Sequence, residues 1–482
     1  MAIFSWRPAY GVVASGVMLS VLACGAVRLN AQTNAQTSEK AAALFGPLTE
    51  DGGAVCALNE GVTAQGGSYS ANVNLSASIA LPGTKGVDVV MTRQGAIAAV
   101  ETETGAALHW VNPETGKIMR SRDFPSAIRD IAYDGQDTLA IAMGDKVMKL
   151  AVTNGTSLSE LRLPGADRVA IAPDGHIAAI ANKTVHLYNA DSRELFARER
   201  NYVAVTDVEI LSCGDNRPTV YVSSFRNSDF TDLNGNYIPV QIARLEAFDA
   251  EGEMQWSLFG DSPDTIKQNI ADTRLYRVTL GRDGYLYIVG ESAGTATIFR
   301  WQGQPMTEDE QYGRVDSFLT RIDPHSQLHN SASAHITYYA RVHPTEGRIV
   351  TSQLSFPRLP NEGRVHGISN TMRVGDIAAG ADGTVYFGGI AFSFIANRDN
   401  LTLNGESVGE YNGGDRTWMS VAPDFRTRNF WTVLADESGK GKVSGVDAGY
   451  GYSAAISNAE SGTVPVTTGG QDSSVFLSFT AE

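Results

Sequence analysis

Apolar residues in this chain fall in short runs of strand length. The runs come in pairs split by glycine or Asp-Gly turns. Residues 87–91 lead through Gly95 to 96–100, 128–133 through Gly135 to 138–142, and 168–172 through Gly175 to 177–181. The three turn glycines are 40 residues apart. Five further pairs follow: 205–211 with 219–223, 275–280 with 285–289, 338–342 with 348–352, 374–378 with 384–387, and 443–446 with 452–456. Val, Ile, Tyr and Phe dominate these runs and no helical period appears, so the eight hairpins predict strands.

A fixed period near 40 residues predicts one four-stranded sheet per repeat, the pattern of an all-β propeller. One domain over 70–482 is expected, with seven or eight blades. The sixth hairpin lacks a clear third strand and reads equally as an insertion, which leaves seven. Outer hairpins recur at 109–117, 187–195, 247–256 and 321–328, where Asn or Asp precedes Gly or Ser, the chemistry of tight turns. In 72–80, Val73, Leu75, Ala77 and Ile79 alternate with Asn72, Asn74, Ser76 and Ser78, a half-buried strand by its period of two. The sequence ends just after 475–479, which reads as a third strand. The N-terminal segment is therefore expected to supply the fourth and close the ring. The competing reading is a surface hairpin outside the ring.

Two repeat families are resembled on these residues. The form Asp249-x-x-Gly252-x-x-x-Trp256 resembles the PQQ-like propeller repeat. Residues 281–292 (Gly-Arg-Asp-Gly-Tyr-Leu-Tyr-Ile-Val-Gly-Glu-Ser), 316–323 and 469–477 resemble the bacterial SBBP-type repeat. Both imply a propeller over roughly residues 85–482, and neither names an activity, because one fold hosts many functions.

Charge and the N-terminus bear on the compartment. The 482 residues carry a formal net charge of -15. That argues against a nucleic-acid partner, which needs clustered Lys and Arg. Arg7 followed by an uncharged apolar stretch, 12–27, has the form of an export signal and is short for a membrane span. Ala31 before Gln32 offers one cut site. Val21-Leu22-Ala23-Cys24 resembles a lipobox, so Cys24 is a candidate lipid anchor. The expected organisation is a signal over 1–31 (or a lipoprotein signal ending before Cys24), a flexible leader over 32–69, then the propeller. The product is exported, extracellular or periplasmic, monomeric, and tied to a membrane only through such an anchor. Cys56 and Cys213 are a candidate disulfide pair.

Candidate chemistry lies in uneven links. The connections between second and third strands are tight in the first three repeats and long at 225–239, 301–315, 392–417 and 457–473. In a propeller this connection shares a face with the link to the next blade, so the long ones gather on one side. Long loops on a rigid scaffold are usual places for binding. These hold Phe230, Tyr237, Trp301, Tyr312 and Tyr411, with Trp418 at an edge, among acids such as Asp229 and Asp415. Aromatic rings among acids suit sugars, cationic groups or a protein partner.

Asp232, Asn234 and Asn236 stand at positions 1, 3 and 5 of a calcium loop, but the glycine comes two places early and position 12 is Ala243, not Glu. An Asn-Gly turn explains the segment equally. Calcium is the one cofactor with any support. Five histidines (His325, His329, His335, His343 and His366) fall within 42 residues, but their predicted places on opposite faces argue against a shared metal. No Gly-x-Ser-x-Gly elbow and no sialidase Asp-box is present. The expected function is non-catalytic binding of a carbohydrate or protein at the cell surface. The alternatives are a secreted carbohydrate-active hydrolase or lyase, and a lipoprotein scaffold of the outer-membrane assembly type.

Overall fold

The computed structural model describes residues 58–212, 217–227, 240–259, 271–294, 297–307, 335–357, 371–395, 397–435, 438–467 and 473–482. Seven four-stranded sheets follow one another along the chain, and each is a blade. Their first strands are Lys85–Thr92, Asp130–Tyr133, Ala166–Ile171, Ala204–Leu211, Thr273–Leu280, Met372–Ala379 and Lys440–Gly449. Pairing within each blade is antiparallel. Gly95, Gly135, Gly175, Gly284 and Gly383 sit at positive φ in the turns between first and second strands, a conformation other residues rarely tolerate.

The count of eight hairpins resolves to seven blades. Hairpins five and six are the inner and outer halves of blade five: Thr273–Leu280, Leu286–Ser292, Ile336–His343 and Arg348–Ser355 pair in that order. The link between its second and third strands runs from 293 to 335, longer than a whole blade in the first part of the chain. Counting by period therefore split one sheet into two. The outer hairpin expected at 321–328 lies outside the described residues.

Segment 72–80 is buried at the expected positions, but it is not one strand. Asn72–Val73 pairs in parallel with Thr402–Leu403 of the blade-six insertion. Leu75 N–H donates to Asn404 Oδ1 at 2.7 Å. Ala77–Ala80 then runs antiparallel to Val475–Ala481 as the fourth strand of blade seven. Val73 and Leu75 join the core of blades five to seven, whereas Ala77 and Ile79 join that of blades seven, one and two. Nine residues thus enter two adjacent cores.

Neighbouring blades latch by an aromatic ring over a turn glycine. Trp110 of blade one covers Gly155 of blade two and donates Nε1–H to Val152 O at 2.9 Å. Phe196 of blade three covers Gly252 of blade four. Trp256 of blade four covers Gly347 of blade five and donates to Pro344 O at 3.1 Å. A Cβ at Gly347 would lie 2.5 Å from the Trp256 ring, so this approach needs glycine.

Candidate functional site

Strand direction decides which side of the ring carries the links. In every blade the connection from second to third strand leaves from the face that also carries the passage to the next blade. In blades one to three it is a short turn, from Thr102 to Gly105, Ala142 to Lys146 and Ala181 to Thr184. From blade four onward the chain leaves at Asn227, Ser292, Ala391 and Ser461 and re-enters at Gln241, Ile336, Asp415 and Val475. All four excursions start and finish on that one face, here the long-link face.

Two buried glutamates organise its base. Glu246, on the third strand of blade four, accepts at one oxygen from Arg244 Nε (2.9 Å), Tyr202 Oη (3.0 Å) and Arg200. Arg200 lies over the Tyr202 ring at 4.8 Å. Glu291, at the end of the second strand of blade five, accepts from Arg274 Nη1 (2.6 Å), Tyr276 Oη (2.6 Å) and His335 Nδ1 (3.0 Å). Burial alone would raise this carboxyl. Hydrogen bonds from His335 and Tyr276 and the charge of Arg274 outweigh it and hold Glu291 down to about 2. Burial first, then Glu291, pushes the Tyr276 phenol up. Arg373 Nη2 lies 3.1 Å from His335 Nε2. Because Arg only donates, Nε2 accepts and the ring proton sits on Nδ1. Both imidazole nitrogens are engaged, so this His-Glu pair has no basic nitrogen turned to a substrate.

The expected site residues divide sharply. Trp418 is a correction: it is fully buried in the third strand of blade six, edge-on to Phe430 at 5.3 Å, and belongs to the core. Asp415 is also buried, held by Arg398 at 2.8 and 3.1 Å. That bidentate pair pins the blade-six insertion and leaves the carboxylate committed. Tyr411 is half-buried, with its ring 5.6 Å from that of Phe394 in the same insertion. Trp301 falls in a short helix, Ile298–Gln302, capped by Thr297. Phe230, Tyr237, Tyr312, Asp229, the calcium-loop candidates Asp232, Asn234 and Asn236, and Cys24, Cys56 and Cys213 lie outside the described residues, as do His325, His329 and His366. Of the remaining histidines, His335 is on the long-link face, whereas His343 is at the opposite end of its strand beside Tyr285. Among the described residues no group of three or more His, Cys, Asp or Glu side chains is placed to hold a metal.

The axis carries a set of charges that periodicity did not disclose. One position per blade, just before a buried Val or Ile, reads Asp88, Asp130, Arg168, Asp207, Arg277, Asp376 and Gly445. Each first strand is the inner edge of its sheet, so its outward N–H groups need acceptors. The preceding blade supplies them. Asp130 accepts from Val169 N (2.7 Å), Asp207 from Val278 N (3.1 Å) and Asp376 from Val446 N (2.5 Å). One pleat further along, Glu209 accepts from Leu280 N (3.1 Å) and Asp447 from Met91 N (2.7 Å). Burial, and next the charge of Asp88, push Asp376 well above the carboxylate range. At the turn face Arg282 lies across the axis, donating to Ala448 O (2.6 Å) and Met91 O (3.2 Å) with its guanidinium over the Tyr450 ring. These groups join blades. The signal was present as an acid or arginine recurring before Val or Ile in otherwise apolar strands.

Seven sheets of four strands, with their first strands facing a common axis, define a seven-bladed β-propeller. No family model matches the chain. A search of the curated proteins likewise finds no match. Among solved structures, it is similar to the Cps50 (Swd1) β-propeller domain of Myceliophteria thermophila, with a TM-score of 0.45, 12% identity, and coverage of 83% of this chain and 98% of that one. The hydrazine synthase of Kuenenia stuttgartiensis gives a TM-score of 0.45 and 12% identity, covering 78% and 94%.

Proposed function

We propose that this propeller is an exported binding protein that holds a carbohydrate or protein ligand on its long-link face without transforming it. One observation carries the reading: every long excursion starts and ends on the same face, above a base of interlocked arginines, tyrosines and glutamates. Rigid supports beneath variable links are the arrangement of recognition surfaces. The engagement of both His335 nitrogens speaks for binding over general-base chemistry. Export by the N-terminal signal, a lipid on Cys24 and kinship with the SBBP-type or PQQ-like repeats belong to this proposal, as does calcium at Asp232, Asn234 and Asn236.

A glycan array combined with a hydrolysis screen on the full chain tests it. The expected result is a retained ligand with no product released. Turnover of a bound glycan rejects the non-catalytic part, and a ligand captured on the turn face rejects the choice of surface. Mass spectrometry of the mature N-terminus separates lipidated from soluble export.

A further inference from the structure

A pocket of about 430 Å³ opens where blade three passes to blade four. Asn201, Tyr202 and Val203 from the passage line one side, and Arg226 and Asn227 from the end of the second strand of blade four line the other. The walls are fixed to each other, since Val203 N–H donates to Phe225 O at 3.1 Å and Lys183 Nζ donates to Tyr202 O at 3.0 Å. Arg226 Nη1 donates to Asn227 O at 3.2 Å, which holds the guanidinium at the strand end.

Charge here runs against the rest of the protein. Among the described residues around the pocket, Lys183, Arg200, Arg226 and Arg244 face only Glu199 and Glu246. That is a local excess of positive charge in a chain of net charge -15. Glu246 is already engaged by Arg200, Arg244 and Tyr202, so it does not compete for a ligand's cation partner. A concave site lined by one sign of charge concentrates the opposite sign. Arg226 provides a planar fork suited to a carboxylate. The Asn201 and Asn227 amides can both donate to and accept from hydroxyls. Val203 is 36% exposed and offers a small apolar wall for a C–H face. The volume is at the lower end of the range for small ligands, room for one or two sugar rings.

We propose that this pocket binds the carboxylate-bearing unit of an acidic saccharide, a uronate, with Arg226 on the carboxylate and Asn201 and Asn227 on the hydroxyls. The assignment rests on the binding reading above and names its ligand chemistry.

The test is calorimetric titration of the full chain with trigalacturonate, its methyl ester, and a glutamate-rich peptide. It is done on the native protein and on the Arg226→Gln and Asn201→Ala variants, each checked for an unchanged melting temperature. Trigalacturonate should bind and the methyl ester should not. Affinity should fall roughly tenfold to a hundredfold in Arg226→Gln, the loss of a charge-assisted hydrogen bond, and should weaken as salt is raised. Equal binding of the ester, unchanged affinity in folded Arg226→Gln, or no binding of trigalacturonate overturns the proposal. Tighter binding of the peptide, lost in the same variants, overturns the saccharide assignment. A glycan that binds the long-link face equally well in Arg226→Gln removes this pocket but leaves the binding reading intact. Cleavage of trigalacturonate held at the pocket does the reverse.

Discussion

Blades one to three and blades five to seven are built on the same sheet, yet they treat their outer edges differently. The outer strands of blades two and three, Ser157–Arg162 and Glu194–Glu199, are mostly exposed, with Leu158 and Leu195 open to solvent. In blade five, Met306 bridges to Ser352 on the outer strand. In blade six, Ser70 bridges to Phe430, and in blade seven Ala77–Ala80 is itself the outer strand. Edge strands are protected either by charge or by cover. The first half carries Glu160, Arg162, Glu194, Arg198 and Glu199 on those strands, and the second half uses inserted and N-terminal chain. The half with the long links is therefore also the half that needs the N-terminal segment.

Removing that segment should break the contrast most severely. Deletion of 70–82 strips Val73, Leu75 and Ile79 from two cores, roughly 1.5–3 kcal/mol each, and bares the third strand of blade seven. An aggregating product on size-exclusion chromatography is expected. A soluble truncation with a cooperative melt would show that the ring holds without it.

The latches give the next largest effect. Trp110→Ala empties a site where the ring is 2% exposed and covers Gly155, a loss of about 3–5 kcal/mol by the usual cost of buried aromatic truncation. Trp256→Ala, at the equivalent latch with a half-buried ring, should cost less. Denaturant midpoints of the two variants measure the difference, and equal losses would mean that cover of the ring does not set the latch strength.

Much of this was readable in the sequence, and the limits have physical causes. Gly95, Gly135 and Gly175 marked the blades because each occupies a backbone conformation that glycine adopts at no steric cost. The alternation of 72–80 marked a buried face. The period failed at blade five, where one link exceeds the repeat that was being counted. Trp418 was misplaced because it lies at the seam between insertion and strand, and loop chemistry was extended one turn too far. Asp415 carries no sequence sign of its partner, since Arg398 is brought to it by the insertion's own path. The axial acids were visible as repeated exceptions in apolar strands. Their meaning depends on the neighbouring blade, which no single repeat reveals.

Within blade five two carboxyls set opposite pH limbs, one at each end. Glu291, on the long-link face, is held at about 2 against an ordinary 4.5, so its stabilisation is present above that ordinary value and is lost as pH falls towards 2. The difference corresponds to about 3 kcal/mol. Asp283, near the turn face, is raised to about 6 by burial, against the pull of Arg341 and the Tyr287 hydrogen bond. Its native state favours the proton, so stability is greatest below its ordinary value and declines as pH rises through 6. Thermal melts across pH should show Glu291→Gln flattening the acid limb and Asp283→Asn flattening the decline towards neutrality. Exchanged or unaltered limbs would reverse the assignment.

The smallest effect separates the two halves most cleanly. Leu158 is 56% exposed on the bare outer strand of blade two, whereas Leu354 is 2% exposed on the covered outer strand of blade five. Both are leucines on fourth strands, so chain position and residue type are matched. A lysine at Leu158 keeps its ammonium in water and rests its methylenes on the same surface, which limits the change to about 0.5 kcal/mol. A lysine at Leu354 must desolvate its charge beneath the cover or displace it, and burial of that kind costs several kcal/mol. Paired melts of Leu158→Lys and Leu354→Lys read the ratio directly. Similar costs would mean that blade two's edge is covered in solution as blade five's is, and the division of the ring into a bare half and a wrapped half would fall.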